Sequence, residues 1–195
     1  MIFRKMYAAY ADENAVFTDK NDARVTHLSL SRFRDMLFLY YEATEDVLPD
    51  DVVAGDVRLF PDGETRWFFM PDIFHYSKPL SDEHWARKKE KRPFIRLNRL
   101  LPEKVGSYIY YHQQLQEEYP GLGDKYGTIG LFGTYIYFYC ELPEEAETVK
   151  YDGALSTKNS PMGASWNELM NTHFRGWDDH KEAWREIESV LYRQK

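Results

Sequence analysis

The sequence predicts an α+β protein built from two related modules, and three observations carry this. Stretches of period-two strand pattern alternate with short helical patterns. A hairpin signal occurs at residues 27–42 and again at 126–141. These two hairpins also align at an offset of 99 residues: SLSRFRDMLFLYYE (29–42) against TIGLFGTYIYFYCE (128–141). The alignment pairs Phe33 with Phe132, Leu37 with Ile136, Phe38 with Tyr137, Tyr40 with Tyr139 and Glu42 with Glu141. A chain of 195 residues has room for two small modules, divided as 1–92 and 93–195.

In the first module, residues 2–10 read as a strand and 11–26 as a polar, turn-rich segment. Leu28 and Leu30 alternate with Ser29 and Ser31, whereas Met36 to Tyr41 is apolar on both faces, the mark of a central strand. Residues 57–60 and 66–70 flank Pro61-Asp62-Gly63-Glu64, a second hairpin signal. Ser81 is positioned to cap a short helix, SDEHWARKKEKR, with acids in its first turn and bases in its last.

In the second module, FIRLNRLL (94–101) alternates as a strand, and Pro102 suits the first turn of the helix that follows. Val105, Tyr108, His112, Leu115 and Tyr119 fall at steps of 3, 4, 3 and 4, forming one inward stripe. Pro120, Gly121 and Gly123 end it. The next hairpin turns at Gly133, with Tyr135, Tyr137 and Tyr139 on one face and Ile136, Phe138 and Cys140 on the other. Residues 143–164 read as loop. Ser165 can cap a helix, SWNELMNTHF, that Gly176 ends, and 178–193 reads as an amphipathic segment whose SVLY end is equally compatible with a strand.

Composition narrows the function classes. Lys and Arg number 25 against 32 Asp and Glu, a net charge of −7, which argues against a nucleic-acid backbone or an anionic membrane surface as partner. The single cysteine, Cys140, sits in a strand pattern and reads as a buried apolar residue. No apolar run reaches the length of a membrane span, and MIFRKMYAAYADEN lacks the apolar core of a signal peptide, so a cytoplasmic location is expected. Aromatic residues make up 16% of the chain, including 15 Tyr. Such side chains combine a flat apolar surface with a polar handle, suited to sugars as well as to cores.

His112 is the chemically suggestive residue of the aromatic stripe, because histidine titrates near neutrality and Tyr108 lies one turn before it. The first module has no equivalent of this helix. Asp178-Asp179-His180, Asp72 with His75, and His84-Trp85 are weaker candidates.

Several positions of the second half resemble the L-rhamnose mutarotases. Pro102 precedes Tyr108 by six residues and Tyr108 precedes His112 by four, as in that family. Tyr126 opens the next strand, Trp166 lies four before Met170, and Ser189-Val190-Leu191-Tyr192 is similar to the family's closing segment. Tyr111 and Asn167 stand where the family has Arg and Trp.

The resemblance implies tandem ferredoxin-like repeats forming an intramolecular dimeric α+β barrel, as a monomeric pseudo-dimer or a homodimer. It also implies a sugar isomerase that interconverts aldose anomers without metal or cofactor. His112 would be the acid/base, Tyr108 and Tyr126 would hold the sugar, and Trp166 would stack on it. Two alternatives stay open: a non-catalytic small-ligand-binding or interaction protein, and a monooxygenase-like enzyme on the same barrel.

Overall fold

The computed structural model describes residues 1–147 and 157–195, so part of the expected 143–164 loop lies outside the described residues. The chain is a mixed α+β protein, dominated by antiparallel sheets with few helices. It divides into two units that are not contiguous in sequence, unlike the expected 1–92 and 93–195. The first holds Met1–Pro71, Pro79–Ile95 and Ile187–Lys195, the second Asp72–Lys78 and Arg96–Glu186.

The first unit begins with β1 (Phe3–Tyr10), followed by the two-residue β2 (Thr18–Asp19). The expected hairpin forms from β3 (Val25–Phe33) and β4 (Met36–Ala43), with Phe33 paired to Met36. β4 is buried along its whole length, since it lies between β3 and β1. Its odd-numbered face, Leu37, Leu39 and Tyr41, joins Leu28, Leu30 and Tyr7 in an apolar core. Val52 and Val53 of α1 (Pro49–Val52) and β5 (Val53–Ala54) cap that core, and β5 pairs with β2.

Residues 57–60 and 66–70 do not form the expected hairpin. The turn is present, with Gly63 at φ 75 and Phe60 N–H donating to Thr65 O at 2.8 Å. Beyond it both arms use the free edge of β1 instead of each other: Arg58 bridges Tyr10, and β6 (Phe68–Phe69) pairs with Ala8 and Tyr7. β7 (Asp72–His75) then leaves for the second sheet.

α2 (Asp82–Trp85) is much shorter than SDEHWARKKEKR. Ser81 caps it, its Oγ accepting from His84 N–H at 3.0 Å, but Ala86 is already extended and the basic run is not helical. Such a run has no apolar face to bury, so propensity alone does not hold it.

β8 (Arg92–Arg99) leads through a 3-10 turn at Pro102–Lys104 into α3 (Val105–Glu118). The second hairpin is β9 (Thr128–Phe132) and β10 (Tyr135–Leu142), with Phe132 paired to Tyr135. α4 (Ala164–Asn171) follows, but Ser165 lies inside it, and the capping position is Gly163 at φ 59 with no side-chain cap. The amphipathic 178–193 segment is not helical. It ends in β11 (Arg185–Glu186) and β12 (Ser189–Gln194), where two sheet edges offer backbone partners and the SVLY reading prevails.

The two large sheets share one order. The first runs β12-β3-β4-β1-β6, the second β7-β9-β10-β8-β11. In each, the hairpin's second arm is central, flanked by its own first arm and by the module's first strand, β1 in one sheet and β8 in the other. The edge beside the first arm is borrowed: β12, from the end of the chain, completes the first sheet, and β7, from the N-terminal half, completes the second.

The offset of 99 is kept to the residue. Met36–Ala43 corresponds to Tyr135–Leu142, and the turns correspond as well, with Arg34 at φ 58 and Gly133 at φ 59. Positive φ at the first turn residue alone is the type II′ pattern that matches strand twist, and glycine adopts it without strain. A Cβ at Gly133 would meet nothing within 4 Å, so substitutions there read backbone conformation alone. Gly133→Ala is therefore expected to lower stability by about 1 kcal/mol, and Arg34→Gly to raise it by up to about 1 kcal/mol, in urea titrations.

Candidate functional site

α3 turns its Tyr108, His112 and Leu115 face inward, and these residues are buried. Its amides tie it to the edge strand β7: Gln113 Nε2 donates to Ile73 O at 2.6 Å, and His75 N–H donates to Gln116 Oε1 at 2.8 Å. β7 thereby brings Phe74 against His112, ring centroids 5.4 Å apart. Tyr108 lies against the imidazole at 3.9 Å and Trp166, on α4, meets it edge-on at 5.0 Å. Three of the four expected site residues thus converge.

Tyr126, the fourth, is fully buried as well, with the Lys125 ammonium 5.1 Å from its ring centroid. Glycines allow close packing beside it. Gly123 and Gly127 let the Tyr76 ring approach so closely that a Cβ at either would lie 2.6 Å from it, and this fixes the path on both sides of Tyr126.

The imidazole is 6% exposed. Its Nδ1 is 2.9 Å from Tyr108 O, a carbonyl, so Nδ1 carries the proton and donates. Nε2 is then the nitrogen with a lone pair. Burial pushes the His112 pKa down to about 4, since the packed rings do not solvate an imidazolium. Burial also raises the Tyr108 phenol well above its usual range, so it stays protonated. His112 is a neutral base at physiological pH.

Two neighbours escaped the sequence reading. Phe74 lies about forty residues from α3 in sequence and no local pattern announces it. His173 sits beside Tyr108 and Tyr111, with Ser107 Oγ 2.9 Å from its Nε2, and sequence places it merely at the end of a helical pattern.

The weaker candidates are engaged locally. His75 Nδ1 is 2.9 Å from Asp72 Oδ2, within β7 and not in a loop. Asp179 pairs with Arg185, and His180 Nε2 is 3.2 Å from Trp184 O.

The first unit holds a second polar cluster. On the even-numbered face of β4, Tyr40 OH donates to Glu42 Oε1 at 2.5 Å. Arg87, just past α2, donates to both carboxylate oxygens. The carboxylate is wholly buried and the guanidinium nearly so. Burial, the largest single influence, would raise the Glu42 pKa, but the Arg87 charge and hydrogen bonds, with His27 and the Tyr40 hydroxyl, together outweigh it and hold the carboxyl at about 2. His27 and Trp85 complete the surroundings, His27 5.9 Å from the Tyr40 ring and Trp85 beneath the Arg4 guanidinium at 5.0 Å. The signal was in the repeat itself, because Tyr-x-Glu recurs at Tyr139 and Glu141, where Tyr139 OH donates to Glu141 Oε1 at 2.9 Å.

Two stability experiments follow. His112 has a folded pKa below its unfolded value, so the unfolded chain takes up a proton first as pH falls. The stability that neutral His112 confers is complete above pH 6.5 and lost as pH falls to about 4. Between those limits the wild type is expected to lose about 3 kcal/mol more than His112→Asn in urea titrations. Arg87→Leu, which strands a buried carboxylate, is expected to cost about 3–5 kcal/mol at pH 7, and Arg87→Leu with Glu42→Leu much less.

Compared with family models, curated proteins and solved structures, the chain matches none of them.

Proposed function

We propose that the chain is a sugar mutarotase-like isomerase acting on an aldose of the L-rhamnose kind through His112. The observation that carries the reading is the contact of His112 with Tyr108 at 3.9 Å and Trp166 at 5.0 Å, the first pair spaced as in the mutarotases and Trp166 placed four before Met170 as in that family. The sheet order supports it too. With β11 and β6 as the last strands of each sheet, both run in the 4-1-3-2 order of a ferredoxin-like module, plus one exchanged edge strand. We read the fold as tandem modules of that type on this basis.

The chemistry suits a neutral imidazole held by its Nδ1–H. In anomer exchange Nε2 would take the proton of the anomeric hydroxyl, the ring C–O bond would break, and the same proton would go to the ring oxygen. Rotation about the freed aldehyde carbon and reclosure give the other anomer, with no net change in protons. Tyr108 sets the plane of the imidazole, and half-buried Trp166 offers the apolar surface for the C–H face of the sugar.

A second reading has its own observation. An imidazole 6% exposed between three rings is also what a packing residue looks like, and then the protein binds a ligand without turning it over.

Exchange spectroscopy on the anomers of L-rhamnose separates the two. Acceleration over buffer is expected, with at least about a hundredfold loss in His112→Ala. With a base of pKa about 4, the rate is expected to stay flat from pH 8 to 6 and fall as pH drops toward 4. Exchange no faster than in buffer, or unchanged in His112→Ala, would leave the packing reading.

A further inference from the structure

We propose that the first unit carries a ligand site of its own, independent of His112, for an uncharged, hydroxylated ring about the size of one monosaccharide. Its basis is a cavity of about 220 Å³ that opens onto the Glu42–Arg87 pair. Taking about 30 Å³ per water, the cavity has the volume of roughly seven waters. That is below the range of drug-sized ligand pockets and fits a single small ring.

The lining sets the ligand's chemistry. Trp85, Ile2 and Ala86 supply an apolar wall, which suits the C–H face of a ring. Thr26 and Thr44 add hydroxyls. The charged groups balance and are already committed. Both Nη atoms of Arg87 donate to Glu42, so neither charge is available without breaking a buried pair. Lys195 Nζ donates to Asp22 O at 3.2 Å. Asp82, its side chain 74% exposed, lies 3.7 Å from the N-terminal ammonium, where water screens the pair. An anion or a cation entering the cavity would meet one like charge for each opposite one. A neutral ligand escapes that conflict, and its hydroxyls can donate to the oxygens of Thr26 and Thr44, whose own protons go to Glu42 O and Arg24 O.

The site differs in kind from the His112 cluster. It offers no base within reach, because both carboxylate oxygens are buried and held by Arg87 and Tyr40. It therefore binds without reacting, and a ligand there serves to hold α2 and the chain around Arg87 against the sheet.

Saturation-transfer NMR on the full chain tests this with probes that cannot change anomer: methyl α-L-rhamnopyranoside, methyl α-D-glucopyranoside and myo-inositol. Transfer to at least one is expected, retained in His112→Ala and weakened at least tenfold in Ala86→Phe. Ala86 is exposed and extended, so a larger side chain there fills the cavity without touching the core. Thr44→Leu, also at an exposed position, is a second blocking variant, and circular dichroism checks that each variant is folded. No transfer from any of the three probes overturns the proposal. So does transfer that survives both blocking variants, or D-glucuronate or D-glucosamine binding as well as the neutral probes. Transfer lost in His112→Ala but kept in Ala86→Phe moves the ligand to the ring cluster and overturns this site alone. Failure of anomer exchange with transfer intact overturns the isomerase reading alone.

Discussion

A carboxylate at the centre of a sheet, with no exposure to water, constrains much of the first unit. Glu42 sits on β4, the central strand between β3 and β1, and its desolvation is tolerable only while Tyr40 and Arg87 both hold it. That requirement reaches three segments at once. It fixes the register of β4, because a slip by one residue would turn Glu42 into the apolar core of Leu37, Leu39 and Tyr41. It draws the chain after α2 back onto the sheet, since Arg87 must arrive beside β4. And it seats Trp85, whose ring lies under Arg4, itself 3.4 Å from Tyr40 OH. The floor of the 220 Å³ cavity is thus a consequence of a register-fixing pair.

The second unit answers the same problem differently. Tyr139 and Glu141 repeat the hydrogen bond at the same places on β10, but the adjoining backbone is organised by Asp124, whose carboxylate accepts from Glu141 N–H and Glu145 N–H. The opposite face of β10 carries rings instead. Phe138 meets Trp184, Trp184 meets Phe174, and Phe174 meets Tyr108, a chain of rings that leads from the sheet to α3. In the first unit the corresponding face is covered by β2, α1 and β5 with Phe17, Val47 and Val52, and no helix intervenes between β1 and β3. Two hairpins of common design have therefore been covered by different material, and only one covering carries a histidine.

How much of this was legible follows from which forces are local. The hairpins, the turn positions and the fully apolar central strand were readable because alternation and turn chemistry are properties of adjacent residues. The aromatic stripe of α3 was readable for the same reason, and it delivered Tyr108 and His112 together. The segment from 178 to 193 misled, because Trp184, Ile187 and Leu191 at helical spacing also fit a strand when an edge of β3 stands unpaired. Borrowed strands leave no mark in sequence: nothing near residues 72–75 or 189–194 states which sheet they complete. For the same reason Phe74 was invisible as a neighbour of His112. The Glu42 pair was half-legible, because the repeat displayed Tyr-x-Glu twice, but the counter-ion lay 45 residues further on.

The two clusters also differ in what burial does to charge, and this is the physical reason to assign them different work. At Glu42 burial is opposed by a guanidinium, so the group stays ionised across any working pH and cannot exchange protons with a ligand. At His112 burial is opposed by a backbone carbonyl alone, so the ring stays neutral, keeps one lone pair, and can take up a proton only transiently. A transiently protonated base is what moves a proton between two oxygens of the same molecule, because it must release the proton as readily as it accepts it. A permanently paired carboxylate is suited to hold a shape. The buried neutral base thus lies on the helix found in one half only, and the tyrosine–glutamate pair on the hairpin found in both.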